Sequence, residues 1–316
     1  MAQRSWAAGE PLVLTELPTP EPRADELRVR VAAVGVNPVD WKMRTRGPLR
    51  LAARLVGPPP PVVVGVDFAG TVEAVGADVG DLRPGDRVVG GTDFSRGQRG
   101  SYADTVVVRA DQVARLPGGF DMVVAGALPV AGVTAWRSVV DVGRLRAGQR
   151  ALILGASGGV GQLAVQIVKL HGGHAVGVCS ARNIELVRSL GADEVLDYTR
   201  GDALARARAF APYQLVFDCV GGYGGAACRR LLGPGGRHVM IAAEGALETM
   251  NILVPPFSSR SVLGRPTGER LRKLVDAVAE RGVSVRVAAT LPLTAAEAAL
   301  EQSRGGRLTG KLVLIP

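Results

Sequence analysis

A glycine-rich turn between an apolar strand and a helix is the part of this chain best suited to chemistry. Residues 151–154 are all apolar, residues 155–161 contain four glycines, and an amphipathic segment follows as far as Leu170. Glycine lacks the Cβ that would block a phosphate, and a helix N-terminus offers N–H groups and partial positive charge. The sequence therefore predicts a seat for a dinucleotide pyrophosphate, formed by Gly155, Ser157, Gly158, Gly159, Val160 and Gly161.

The segments around this turn predict strands alternating with helices. Strands are predicted at 151–154, 174–179, 195–198, 214–220 and 237–242, with a further strand at 261–264. A helix is predicted at 183–190, where apolar residues fall on one face. Such alternation indicates an α/β fold with a parallel, doubly wound sheet of the Rossmann type.

The residues after the second predicted strand indicate which dinucleotide is preferred. An NAD site usually places Asp or Glu there to hold the ribose 2′-hydroxyl. This chain has no carboxylate at residues 179–183 but carries Ser180 and Arg182. Hydroxyl and guanidinium groups suit a 2′-phosphate, so the sequence predicts NADPH rather than NADH.

Composition narrows the class of protein. Hydrophobic residues make up 47% of the 316 and charged residues 21%, which describes a globular chain long enough for two domains. The net charge of +9 is dispersed and aromatics are only 4%, so no nucleic-acid partner is expected. No apolar stretch reaches the ~18 residues of a membrane span, and no signal peptide is evident, so no membrane partner is expected. Three cysteines without a disulfide pattern favour the cytoplasm.

The two ends of the chain differ from its middle. Short segments with strand character occur at 12–17, 26–34, 62–64 and 70–75, separated by turn residues. Near the C-terminus, helices are predicted at 269–281 and 295–302, the second capped by Thr294, before a last strand at 311–315. The N-terminal part is therefore predicted to be a β-rich domain.

Several motifs, in a fixed order, resemble those of the medium-chain dehydrogenase/reductase superfamily, within its zinc-independent quinone oxidoreductase-like branch. They lie at 35–40 (Gly-Val-Asn-Pro-Val-Asp), 65–72, 82–88, 128–135, the glycine turn and 310–314. The resemblance implies a discontinuous, GroES-like catalytic domain over 1–118 and 265–316. It also implies a Rossmann domain over 119–264.

The same resemblance assigns roles to individual residues. Asn37 and Asp40 are expected in the loop that faces the nicotinamide; Asn37 either donates a hydrogen bond there or only shapes the turn before Pro38. A tyrosine donor found in related enoyl reductases is missing, which leaves Asp40, Lys42 or solvent as the proton source. The cofactor is expected to contact Thr134, Tyr198, Val220 and Lys311. Thr134 could instead be a helix-interior residue, and Lys311 a solvent-facing one.

No metal site is expected. Catalytic zinc needs three protein ligands, but this chain has no cysteine before Cys179 and its histidines are His171, His174 and His238. Zinc-dependent relatives carry a His-Glu pair where this chain has Val66-Asp67. Without a Lewis acid, hydride transfer to an electron-poor acceptor is favoured.

The sequence therefore predicts a zinc-independent, NADPH-dependent reductase of a quinone or an α,β-unsaturated carbonyl. Two alternatives remain open: an enoyl-thioester reductase of a biosynthetic pathway, and a non-enzymatic NADPH-sensing protein. The expected partner is a small-molecule acceptor. A homodimer is expected by analogy, through an edge strand at 258–264.

Overall fold

Two sheets organise the chain, and each belongs to a separate unit. The computed structural model describes residues 1–45, 48–241, 259–262 and 264–316. One unit contains Met1–Val133 and Arg265–Pro316, and we call it the β-rich unit. The other contains Thr134–Gly264, and we call it the Rossmann unit.

The secondary structure follows in chain order. The strands are β1 (Ala2–Gln3), β2 (Glu26–Gly35), β3 (Val62–Val63), β4 (Asp67–Val75), β5 (Arg87–Gly91), β6 (Thr105–Arg109), β7 (Val113–Arg115), β8 (Arg150–Leu154), β9 (His174–Cys179), β10 (Glu194–Asp197), β11 (Tyr213–Asp218), β12 (Leu232–Met240), β13 (Ser259–Ser261), β14 (Val287–Pro292) and β15 (Lys311–Ile315). The α-helices are α1 (Pro38–Lys42), α2 (Pro48–Val56), α3 (Met122–Ala127), α4 (Pro129–Trp136), α5 (Gly161–Leu170), α6 (Ile184–Ser189), α7 (Ala203–Ala207), α8 (Gly225–Arg229), α9 (Gly268–Glu280) and α10 (Ala296–Arg304).

The Rossmann unit is built on a parallel sheet with the strand order β10-β9-β8-β11-β12-β13. The order reverses next to β8, so the chain winds outward in both directions from this central strand. All of β8 except Arg150 is buried, as expected for a strand covered on both faces. The predicted doubly wound Rossmann fold is confirmed.

Two predicted elements of this unit differ from the structure. Tyr198 was expected to close a strand but lies in a 3₁₀ turn, because the side chain of Asp197 accepts from Thr199 N at 2.9 Å and starts the turn. The last strand predicted for this unit was 261–264, whereas β13 ends at Ser261 and pairs with β12. Residues 242, 258 and 263 of the predicted edge segments lie outside the described residues.

The β-rich unit is mainly antiparallel. Its larger sheet has the order β14-β15-β2-β4-β5-β7, and β6 also pairs with β2. The predicted β-rich domain is confirmed. The predicted strand at 12–17 is wrong: the segment pairs only through an isolated bridge between Val13 and Ala2.

The first boundary between the units differs from the predicted one at 118–119. Helix α3 packs on β2 and β4, and the backbones come so close that a Cβ on Gly126 would lie 2.9 Å from Cβ of Ala33. Glycine permits this approach. Residues 119–133 therefore belong to the β-rich unit and not to the Rossmann unit.

The returning C-terminal segment contains the predicted helices, with one difference at a cap. Helix α10 follows a 3₁₀ turn at Leu293–Ala295 and has no side-chain cap, so the predicted capping role of Thr294 is wrong. Strand β15 is central, pairing in parallel with β14 and antiparallel with β2. Within the described ranges, no helix has both the length and the apolar character that crossing a bilayer requires.

Candidate active site

The glycines of the predicted dinucleotide seat have different structural roles. Gly155 has a φ of +80°, and a Cβ on Gly161 would lie 2.1 Å from the carbonyl oxygen of Gly155. Both glycines are thus required by the turn itself. A Cβ on Gly158 would meet only an ordinary contact, 3.4 Å from Gly155 O. Gly158 is therefore the glycine whose missing side chain can serve a ligand rather than the fold.

The turn ends at the start of α5. Val160 is the N-cap residue, and no side chain caps this end of the helix. Helix N-termini carry N–H groups without intrahelical partners and a partial positive charge. The helix therefore offers the charge and the donors that a pyrophosphate needs.

Ser157 is linked to the turn after the second strand. Asn183 donates from Nδ2 to Ser157 Oγ at 2.9 Å and to Ser180 Oγ at 3.4 Å. Arg182, which lies between Ser180 and Asn183 in the sequence, is exposed. The structure thus groups Ser157, Ser180 and Asn183, two of which were predicted as site residues. Asn183 was missed as a site residue, because in the sequence it suggested only a helix start.

A carboxylate that the sequence did not indicate lies beside this group. Asp197 is the last residue of β10, and it pairs with Cys179, the last residue of the neighbouring strand β9. Its Oδ1 accepts from Thr199 N at 2.9 Å and from Thr199 Oγ1 at 2.7 Å. These hydrogen bonds, followed by the charge of Arg200, hold the pKa of Asp197 below its ordinary value. Asp197 therefore remains charged and engaged with its own turn.

The other predicted cofactor contacts in this unit are distributed around the sheet. Tyr198 and Val220 are exposed, and Val220 packs next to Gly155. The backbone N–H groups of Val220 and Gly221 already donate to Asp218 Oδ1, at 2.8 and 2.9 Å. Thr134 is buried within α4, which agrees with the helix-interior alternative.

A buried polar cluster occupies the β-rich unit. Asn37 donates from Nδ2 to Asp67 Oδ2 at 2.8 Å, and Lys311 donates to Asn37 Oδ1 at 2.5 Å and to Val36 O at 2.8 Å. The Lys311 ammonium also lies 3.5 Å from Asp67 Oδ2. We call Asn37, Asp40, Asp67, Tyr102 and Lys311 the buried cluster, since each is at most 5% exposed.

Local sequence places Asp40 in this cluster. Asn37 precedes α1 and Pro38 begins it, and the Asp40 carboxylate reaches back to accept from Asn37 N at 2.8 Å. Tyr102 donates its hydroxyl to the same Oδ2 at 3.1 Å. Asp40 Oδ1 is buried and accepts no hydrogen bond. An oxygen of this kind suits the protonated form of the acid.

The charges of the cluster explain its pKa shifts. Burial is the main cause that raises the pKa of Asp40, to about 7, and the nearby Asp67 raises it further. Burial also raises the pKa of Asp67, against the opposing charge of Lys311 and the hydrogen bond from Asn37. One ammonium cannot neutralise two carboxylates, and burial favours the protonated form of both acids.

These contacts change the interpretation of the predicted catalytic residues. Both ends of the Asn37 side chain are engaged inside the unit, and Asp40 is fully buried. Lys311 is buried, so its solvent-facing alternative is wrong, while its contact with a cofactor stays a prediction. Lys42 is half-buried, with its ammonium 5.4 Å from the centre of the Trp41 ring. It is the more exposed member of the predicted trio.

Two members of the cluster were missed as functional candidates. Asp67 stands alone in the apolar run Val62–Phe68, and a lone acid in such a run signals a buried, partnered charge. Tyr102 carried no comparable signal, because its contact with Asp40 joins residues far apart in the chain. Only the folded sheet brings the two together.

The cluster does not fit a zinc ion. Zinc takes three or four ligands from Cys, His and acidic residues. Among the residues that the structure describes, no group of three or more such side chains could hold a metal. Asp67 already faces an ammonium and an amide, which fill the positions around its carboxylate.

Both units of the chain are similar to known proteins. A model of the "Alcohol dehydrogenase GroES-like domain" family matches residues 23–118, and one named "Zinc-binding dehydrogenase" matches residues 190–314. The chloroplast envelope quinone oxidoreductase homolog of Arabidopsis thaliana is 33% identical over 313 residues, covering 95% of this chain and 93% of that protein. The quinone oxidoreductase structure from Coxiella burnetii aligns with a TM-score of 0.89 at 27% identity, covering 100% of this chain and 98% of that one.

Two further relatives match over part of the chain. The mitochondrial NAD(P)H oxidoreductase RTN4IP1 of Mus musculus is 37% identical over 212 residues, which is 63% of this chain and 52% of that protein. Trans-enoyl reductase pgmF of Aspergillus terreus is 37% identical over 202 residues, 62% of this chain and 55% of that protein. The chain thus spans about half the length of each.

Glycine substitutions separate the two kinds of glycine in the turn. Gly161→Ala is expected to lower the free energy of unfolding by about 2 kcal/mol, because its methyl group would meet backbone. Gly158→Ala is expected to change stability by less than about 0.5 kcal/mol, while weakening NADPH binding about tenfold by obstructing the phosphates. Urea unfolding and fluorescence titration measure these effects. Unchanged NADPH binding by Gly158→Ala would contradict the predicted seat.

The raised pKa of Asp40 predicts a pH dependence of stability. Between the unfolded value of 3.8 and the folded value of about 7, the folded state holds a proton that the unfolded state has lost. The free energy of unfolding should therefore fall as pH rises through this window, by up to about 1.4 kcal/mol per pH unit from this group. Asp40→Asn should flatten that slope in urea unfolding.

Tyr102→Phe provides the control for this interpretation. Its hydroxyl favours the carboxylate form of Asp40, so its removal should shift the loss of stability to higher pH. Equal slopes in the wild type and Asp40→Asn would show that Asp40 is not the responsible group.

Proposed function

Since this chain belongs to the medium-chain dehydrogenase/reductase superfamily, in its quinone oxidoreductase-like branch, and is an oxidoreductase, we propose that it reduces a quinone or an α,β-unsaturated carbonyl without zinc. NADPH supplies the hydride when bound. The observation that carries this proposal is the buried Asp67–Lys311 ion pair, in which an ammonium already engages the acid of the segment where zinc-dependent relatives carry a His-Glu pair. An acceptor that needs no Lewis acid suits such a site.

The similarity to quinone and NAD(P)H oxidoreductases supports an NAD(P)H-dependent reductase. The choice of NADPH is our proposal, and Ser180, Arg182 and Tyr198 would hold its adenosine end. Asp197 would oppose a 2′-phosphate, but its carboxylate is bound to Thr199 and Arg206 donates to its backbone oxygen at 2.8 Å. Arg182 and Arg200, on the turns after β9 and β10, outnumber the single acid Asp197, which favours binding of the 2′-phosphate.

The residues of the β-rich unit have separate proposed roles. Asp40, Asn37 and Lys311 are positioning residues, since all are buried and engaged with one another. They hold helix α1, which presents Lys42. We propose that the Lys42 ammonium stabilises the negative charge that develops on the acceptor oxygen, as a preorganised cation can.

A second candidate is an enoyl-thioester reductase. The similarity to trans-enoyl reductase pgmF favours it. Hydride addition to an enoyl thioester also places negative charge on a conjugated oxygen, so the same residues would serve. The oxidoreductase family disfavours the earlier alternative of a non-enzymatic NADPH sensor.

Assembly and location are also proposals. Strand β13 lies at one end of the described Rossmann sheet, and such an edge can pair with a second copy to form a homodimer. The three cysteines are free thiols, which suits the cytoplasm.

A panel of acceptors tests the proposed reaction. NADPH oxidation is followed optically with a naphthoquinone, a benzoquinone, a simple enone and a crotonyl thioester, with NADH and a metal chelator as controls. We expect turnover of the quinones or the enone, a preference for NADPH and no effect of the chelator. Turnover of the thioester alone would support the second candidate, and inhibition by the chelator would contradict zinc independence.

Substitution of Lys42 tests its proposed role. Lys42→Met should lower kcat roughly 100- to 1,000-fold, the range for loss of one preorganised group that stabilises an oxyanion, with little change in the KM for NADPH. Lys42→Arg retains the charge and should recover part of kcat. Equal activity of Lys42→Met and the wild type would remove Lys42 from the mechanism.

A further inference from the structure

Exposed apolar side chains concentrate on one helix of the β-rich unit. In α2, Leu51 is 60% exposed, Leu55 74% and Val56 51%. The exposed Tyr198 and Val220 belong to the proposed cofactor site, but α2 has no such explanation. Folded chains seldom leave several large apolar side chains together in water without a partner.

The helix is attached so that this face stays outward. Ala53 is buried, and it lies on the side of the helix opposite Leu51. Arg50 donates from Nε to Trp6 O at 2.9 Å, and Trp6 Nε1 donates to Pro58 O at 3.2 Å. These contacts fix the inner side of α2, so Leu51 and Leu55, one turn apart, cannot rotate into the core.

The charge carried by this helix has a single sign. Residues 48–56 contain no Asp or Glu but two basic residues, Arg50 and Arg54. Arg54 is exposed on α2 beside the apolar side chains. Apolar residues accompanied by cations are typical of helices that lie in the interface of an anionic membrane.

We propose that α2 docks this protein on an anionic lipid surface. Leu51, Leu55 and Val56 would enter the boundary between headgroups and acyl chains, while Arg54 would face lipid phosphates. The net charge of +9 adds a long-range attraction. The expectation of no membrane partner came from the absence of a spanning segment, and surface docking needs none.

A second copy of the chain fits this face less well. A symmetric contact between two α2 helices would bring Arg54 close to its own equivalent, with no acid on the helix to compensate. Lipid phosphates supply the missing negative charge. The proposal does not depend on the reaction proposed above.

Vesicle sedimentation of the full chain tests the docking. We expect binding to phosphatidylglycerol vesicles that is at least about tenfold stronger than to phosphatidylcholine vesicles and that weakens with salt. The double substitution Leu51→Ser and Leu55→Ser should reduce binding about tenfold or more. Arg54→Glu should reduce it about fivefold.

Leu14→Ser is the matched control. Leu14 is 73% exposed but lies in the extended segment after β1, so its substitution should leave vesicle binding unchanged. Unfolding midpoints of all variants should stay close to that of the wild type, because the substituted side chains are exposed. Absence of binding to phosphatidylglycerol, or equal binding by the double variant, would overturn the proposal. A dimer that the double variant abolishes without vesicles would identify a second copy as the occupant, and would also overturn it.

Discussion

Burial of the Asp67 carboxylate is the constraint on which the polar interior of the β-rich unit depends. A charge removed from water costs several kcal/mol unless hydrogen bonds and an opposite charge replace the solvent. Asn37, Lys311 and the backbone N–H of Val130 provide that replacement, the last at 2.8 Å from Oδ1. These groups come from a loop, the final strand and α4, so one carboxylate ties distant parts of the chain together.

The same network controls the second acid. Burial, together with the charge of Asp67, raises the pKa of Asp40 to about 7, so Asp40 holds its proton up to near-neutral pH, with one oxygen left without a partner. The capping contact with Asn37 then fixes the start of α1. This rigidity gives Lys42, at the end of the same helix, a defined place at the surface. In the proposed reaction, the buried charges of this unit act by positioning Lys42.

The Rossmann unit relies on shape rather than on charge pairing. Its turn is set by backbone approach, with Gly161 packed against the carbonyl of Gly155. Polar side chains such as Asn183 then connect this turn to the next one. A site built in this way recognises the common part of a dinucleotide through backbone, while a few side chains at the second turn choose between its variants.

The sequence by itself determined the Rossmann sheet, the β-rich domain and the glycine turn, because each follows from local periodicity and from glycines within a few residues of one another. It also indicated Asn37 and Asp40, whose spacing forms a cap within one helical turn. The tertiary structure decided what these residues contact. The sequence left open whether Lys311 faces solvent, and β15 places it beside Asp67. Tyr102 and Asp197 carried no local signal. Tyr102 meets Asp40 from a distant part of the chain, and Asp197 comes beside Cys179 through the pairing of β10 with β9, so only the tertiary structure brings these groups together.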